Sequence, residues 1–154
     1  MENIEIIYHQ NGNIKYKSYR FNNVFHRLND KPAVINYYEN EDIEYQEYWI
    51  NGCLHRDNDK PAIISYRENG NIRYEEYWMN NKLHRNLDKP AVIAYYQNGN
   101  IEYEEYWIHD KHCRSDDLPK AIEYSENGQY ETYTFNDGHV ETQDIYLLLT
   151  KSVN

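Results

Sequence analysis

The chain has 154 residues, with 26 Asp and Glu against 16 Lys and Arg, a formal net charge of −10, and 18 tyrosines beside 3 phenylalanines. That length suits one domain with a modest core. An acidic surface whose basic residues are scattered repels phosphate backbones and anionic leaflets, so neither nucleic acid nor a membrane is expected as a partner.

No run approaches the ~20 apolar residues of a membrane span. The start MENIEIIYHQ has no basic region followed by an apolar stretch, so no secretory signal is read. Cys53 and Cys113 fall at different places in the pattern described next, which predicts free thiols in a soluble, intracellular chain.

The sequence copies itself at a fixed interval. Pro32, Pro61, Pro90 and Pro119 stand 29 residues apart, as do Trp49, Trp78 and Trp107, then His26, His55 and His84, and Arg27, Arg56, Arg85 and Arg114. A period of that length marks a supersecondary unit that cannot bury its own apolar face and stacks on its neighbours. The predicted organisation is a five-unit β array over 3–144, in units 3–31, 32–60, 61–89, 90–118 and 119–144, with a capping tail over 145–154.

Residues 3–8 are read as the first strand of the first unit. Later units open on Pro-Ala, an apolar pair and Tyr (PAVINY, PAIISY, PAVIAY), while the fifth reads PKAIEY, the kind of deviation expected where one face of an array meets water. Proline at the first residue of a strand is where a missing amide proton costs least.

In the third unit two runs rich in β-branched and aromatic residues flank Glu68-Asn69-Gly70-Asn71, a hairpin signal. A three-residue loop Glu68-Asn69-Gly70, with Gly70 left-handed, pairs Tyr66 with Ile72 and Ile64 with Tyr74. One face then carries Ala62, Ile64, Tyr66, Ile72, Tyr74 and Trp78, and the other Ile63, Ser65, Arg67, Arg73, Glu75 and Tyr77. Gly12, Gly99 and Gly128 hold the same turn position, but the second unit has Glu41 there, which predicts a distorted or lengthened hairpin.

Asn80-Asn81, in step with Asn51-Gly52 and Asn22-Asn23, reads as a primed two-residue turn that opposes Trp78 to Leu83, Tyr77 to His84 and Glu76 to Arg85. The same spacing offers ion pairs Glu47–Arg56 and Glu105–Arg114. Each unit is thus predicted as a three-stranded meander, and the fold as an all-β, elongated antiparallel array of about five of them. After about residue 144 the period stops, and Tyr146 to Leu149 are expected to cover the open end.

The wording Tyr-Trp-x-Asn-Gly/Asn-x-Leu-His-Arg followed by Lys-Pro-Ala resembles the MORN family of hairpin repeats, and most of all the divergent MORN-like arrays of large DNA viruses and some phages. It covers residues 3 to about 144, through Tyr48-Trp49, Tyr77-Trp78, Tyr106-Trp107, the turns after them, Gly70 and Gly99. The units here are longer than the family's, and His-Arg and Pro-Ala replace its small glycines. The resemblance implies an elongated scaffold or membrane-apposition module, located in a host cytoplasm or virion if viral; the acidic surface speaks against lipid.

Among chemical motifs, His26, His55 and His84 invite a metal, but residues three strands apart in a meander are about 14 Å from one another at ~4.8 Å per strand, too far to share one ion. The expected role is structural, opposite Tyr48 or Tyr77, and no metal or cofactor is expected, even at the local cluster His109, His112 and Cys113. Glu75-Glu76 and Glu104-Glu105 cannot flank one glycosidic bond, because neighbours on a strand point to opposite faces. No enzyme is read from the chain.

The candidate binding surface is the outer face, where Tyr48, Tyr77 and Tyr106 form a row with Glu75 and Glu104. Two uses stay open at this point. One is contact with a protein partner, including a second copy of the chain; the other is a carbohydrate-binding platform of evenly spaced rings.

Overall fold

The computed structural model describes residues 1–115 and 118–144, and the regular elements in them are all strands. The first unit contributes β1 (Glu2–Tyr8), β2 (Ile14–Phe21) and β3 (Val24–Phe25). The second contributes β4 (Val34–Tyr37), β5 (Ile43–Glu47), β6 (Trp49–Ile50) and β7 (Cys53–Leu54), and the third β8 (Ile63–Tyr66), β9 (Ile72–Glu76), β10 (Trp78–Met79) and β11 (Lys82–Leu83). The fourth holds β12 (Val92–Tyr95), β13 (Ile101–Glu105), β14 (Trp107–Ile108) and β15 (Lys111–His112), and the fifth β16 (Ala121–Tyr124), β17 (Tyr130–Thr134) and β18 (Val140–Asp144).

One antiparallel sheet of 12 strands runs β1-β2-β4-β5-β8-β9-β12-β13-β16-β17-β18, with β3 paired to β2, and it does not close into a barrel. Its two ends are β1 and β18. The expected cap at Tyr146 to Leu149 lies outside the described residues. No helix long and apolar enough to cross a membrane occurs among the described residues.

The predicted three-stranded meander is corrected in one respect. The far edge of β9 is occupied by the next unit, with Val92 opposite Glu76, Ile93 opposite Glu75 and Ala94 opposite Tyr74. The stretch after Tyr77 therefore leaves the main sheet and forms a separate hairpin, β10 with β11, in which Trp78 faces Leu83 as expected. These small hairpins form a second row: the turn amides of Gly52, Asn81 and Asp110 donate to the carbonyls of Phe25, Leu54 and Leu83 in the unit before.

The tight turns take the backbone their residues favour. Asn22-Asn23, Asn51-Gly52, Asn80-Asn81 and His109-Asp110 all have positive φ, the primed geometry that follows strand twist. In the longer turn Arg67 N donates to Asn71 O and Gly70 N to Arg67 O, the three-residue loop, and Tyr66 faces Ile72.

A second irregularity between Ser65 and Tyr66 then leaves Arg73 without an opposite number. Ser65 faces Tyr74 and Ile64 faces Glu75, so the expected Ile64–Tyr74 pair is displaced by one residue and the face assignment changes with it. Ile63 and Ile64 are both 8% exposed, because both faces of the sheet are covered. One cluster joins Leu54, Ala62 and Ile63 with Tyr45, Trp49, Tyr74 and Trp78. A second joins Tyr77, Ala91 and Ile93 with Leu83, Tyr95, Ile101 and Trp107.

Glu41 also departs from expectation. It adopts φ 71°, beside 91°, 82°, 90° and 70° at Gly12, Gly70, Gly99 and Gly128, and its hairpin keeps the common length, with Tyr38 N on Asp42 O and Tyr37 opposite Ile43. The sheet pairing on both sides over-determines the turn, and the glutamate bears the strained backbone.

Candidate functional site

The charged residues of each unit are sorted by the two faces. Glu47, Glu76 and Glu105 do not pair with Arg56, Arg85 and Arg114. They accept the indole N–H of the tryptophan two residues on, at 2.6 Å from Trp49, 2.8 Å from Trp78 and 2.9 Å from Trp107. Alternation along an extended strand puts residues i and i+2 on one side, which makes that short reach available. Burial pushes the Glu76 carboxyl above its usual range, with the Trp78 bond pulling the other way.

The arginines lie on the opposite side and form the joint between units. Each guanidinium covers the tyrosine eight residues earlier, at 3.6 Å for Arg56 over Tyr48, 3.5 Å for Arg85 over Tyr77 and 3.8 Å for Arg114 over Tyr106. Its Nη1 donates to the carbonyl of Pro61, Pro90 or Pro119. That leaves the Nε–Nη2 edge to grip a carboxylate in two-pronged fashion: Arg56 on Asp30, Arg85 on Asp59 and Arg114 on Asp88.

A lysine closes two of these joints, with Lys60 Nζ on Asp30 and Lys89 Nζ on Asp59, both at 2.5 Å. The Asp30 carboxyl is held down to about 2, first by the Arg56 hydrogen bond and then by Lys60. Asp59 is likewise at about 2 through Arg85, with Lys89 behind it. Asp88 is also lowered, by Arg114, but Leu118 stands where the other joints have lysine. The linker holds each aspartate in place with two consecutive left-handed residues, Asn29-Asp30, Asn58-Asp59 and Leu87-Asp88.

The first unit has the same receptor without its carboxylate. Arg27 lies 3.6 Å over Tyr19 and donates Nη1 to Pro32 O, as its counterparts do. The residue 26 before it is Met1, whose ammonium is bound to Asn22 Oδ1. Neither Arg27 nor Lys31 forms an ion pair within 4.0 Å among the described residues. The cleft here, lined by Glu2, Tyr19, Phe21, Arg27, Leu28 and Lys31 among others, measures about 550 Å³, whereas its interior counterparts measure about 220, 170 and 210 Å³.

The sequence-predicted surface residues are arranged otherwise than expected. Tyr48, Tyr77 and Tyr106 are 8%, 8% and 6% exposed beneath their arginines, so they form no open row of rings. Glu75 and Glu104 lie on the same side and accept the hydroxyls of Tyr95 and Tyr124. His55 and His84 donate backbone N–H to Tyr48 O and Tyr77 O. The rings of His26 and His55 accept the Asn51 and Asn80 amides at Nδ1, fastening one unit to the next.

His109 stacks on His84 and His112 on Trp107, so the cluster around Cys113 is split apart. No group of three His, Cys, Asp or Glu able to hold a metal occurs among the described residues. The aspartates that organise the joints were missed from sequence, although Asp30, Asp59 and Asp88 keep the period and each precedes Lys-Pro directly. No family model matches the chain, and no curated protein or solved structure is significantly similar to it.

Proposed function

We propose that the chain is a non-enzymatic, MORN-like repeat scaffold that binds another polypeptide, and that the open edge of β1 is where it does so. One observation carries this reading. Every residue of β1 is exposed, including Ile4 at 55%, Ile6 at 38%, Ile7 at 48% and Tyr8 at 58%, while Ile35, Ile64 and Ile93, the counterparts of Ile6 in later units, are 7–8% exposed. An open strand edge with apolar side chains is a template for a further strand. The opposite edge, β18, reads VETQD and is blunted by polar and charged residues.

A photoreactive residue placed at Ile6, and separately at Thr142 on the opposite edge, tests this together with light scattering over a range of concentrations. A stoichiometric polypeptide adduct at Ile6 and none at Thr142 supports the scaffold. A chain that stays monomeric and gives no polypeptide adduct from either edge in whole-cell extract refutes it.

A further inference from the structure

Resting on that reading, we infer that Arg27 and Lys31 are a carboxylate-binding site, filled by an aspartate of the partner polypeptide whose strand docks on β1 as one more unit would. The chain itself contains the occupied form of the site three times. In each interior joint an arginine laid flat on a tyrosine and tied at Nη1 to a carbonyl turns its Nε–Nη2 edge to an aspartate, and in two of them the lysine four residues on joins it. Arg27 has the tyrosine, the carbonyl and the lysine at the same spacings, and lacks only the acid.

A guanidinium fixed at two points before the ligand arrives loses little freedom on binding, and its fork matches a planar carboxylate. Glu2 lines the cleft but pairs with neither cation, so the entering acid must displace or bypass that charge.

The interior joints also specify the strand. An incoming strand opposes the residues corresponding to Glu5, Ile6 and Ile7, and its aspartate follows 12 residues after the residue opposite Glu5, as Asp30 follows Ser18 and Asp88 follows Glu76. A segment like 72–89 would set Glu76 against Glu5. One like 14–31 sets Ser18 against Glu5 and Lys17 against Ile6, which avoids facing two acids. The partner is therefore a strand that is neutral or basic at its centre and is followed at that distance by an aspartate.

The probe is a synthetic peptide with the sequence of residues 14–31, compared with the same peptide carrying Asp30→Asn, titrated against the full chain with fluorescence anisotropy and amide NMR. The expected result is saturable binding with shifts confined to β1, Arg27 and Lys31, and at least tenfold loss with the Asn peptide. The protein variants Arg27→Ala and Lys31→Ala weaken the Asp peptide and leave the Asn peptide unchanged. Arg27→Ala also uncovers Tyr19, so Lys31→Ala, at an exposed residue, and Arg27→Lys, which keeps charge without the fork, separate recognition from folding. Equal binding of both peptides, shifts at β18, saturation of the Arg27 signals by acetate at the peptide's own concentration, or no binding of either peptide overturns the carboxylate site. In each case the scaffold reading stands or falls separately on the adduct at Ile6.

Discussion

Replacing Glu41 by glycine should stabilise the protein, and placing a glutamate at Gly70 should destabilise it by a similar amount. Both residues hold the left-handed position of the same turn, with φ 71° at Glu41 and 82° at Gly70. A Cβ at Gly12, Gly70, Gly99 or Gly128 would meet no atom within 4 Å, so contacts contribute nothing and backbone strain decides the sign. A left-handed conformation costs an L-residue roughly 1–2 kcal/mol. Glycine gives back roughly 0.5–1 kcal/mol through the extra freedom of its unfolded chain. The net expectation is a gain of about 0.5–1 kcal/mol for Glu41→Gly, a rise of a few degrees in Tm for a chain of this size, and a comparable loss for Gly70→Glu. Urea melts of the two variants with an unchanged m-value provide the assay. A destabilised Glu41→Gly, or a neutral Gly70→Glu, would refute the account and mean that the Glu41 side chain holds the turn through a contact of its own.

A double-mutant cycle between Arg85 and Asp59 should show coupling of about 1–2 kcal/mol, and the cycle between Arg85 and Glu76 none beyond error, because Arg85 reaches the acid 26 residues back and Glu76 is held by Trp78; the reverse ranking would restore the sequence-predicted pair. On acidification, the folded-state carboxyls of Asp30 and Asp59 titrate at about 2, below the ordinary 3.8, so the stability they supply is complete above about 4 and is lost as the pH falls toward 2. Glu76 acts in the opposite sense, since its raised pKa makes the ionised form costly and protonation relieves it. Urea melts from pH 5 to pH 2 should therefore fall less steeply for Asp59→Asn than for the parent, and parallel curves would contradict the joint.

How much was legible in the sequence depended on how local the cause was. The primed turns at Asn51-Gly52 and Asn80-Asn81 were readable because two residues set their own backbone, and the three-residue loop at Gly70 because one glycine did. The loop at Glu41 was misjudged because the penalty at one residue was weighed without the paired strands that enforce it. The Trp78–Leu83 pairing followed from its turn, but the departure of that hairpin from the main sheet did not, since it depends on the next unit's β12 taking the edge of β9.

The candidate site divides in the same way. Its columns of arginine and tyrosine were visible as a period, and the tyrosines were read as a surface because nothing along the chain says that a guanidinium lies on each ring. An arginine's choice between a glutamate nine residues back and an aspartate 26 back is one between two acids of equal charge, and only the arrangement of strands puts one within reach and hands the other to an indole.

By itself, then, the sequence determined the period, the primed two-residue turns and the all-strand character, all of which arise from short-range backbone preference and a recurring apolar pattern. The tertiary structure alone decided which residues face each other across units. It thereby left Arg27 and Lys31 as a joint in which no acid pairs with either cation among the described residues, because contacts of that kind exist only once one unit is packed against the next.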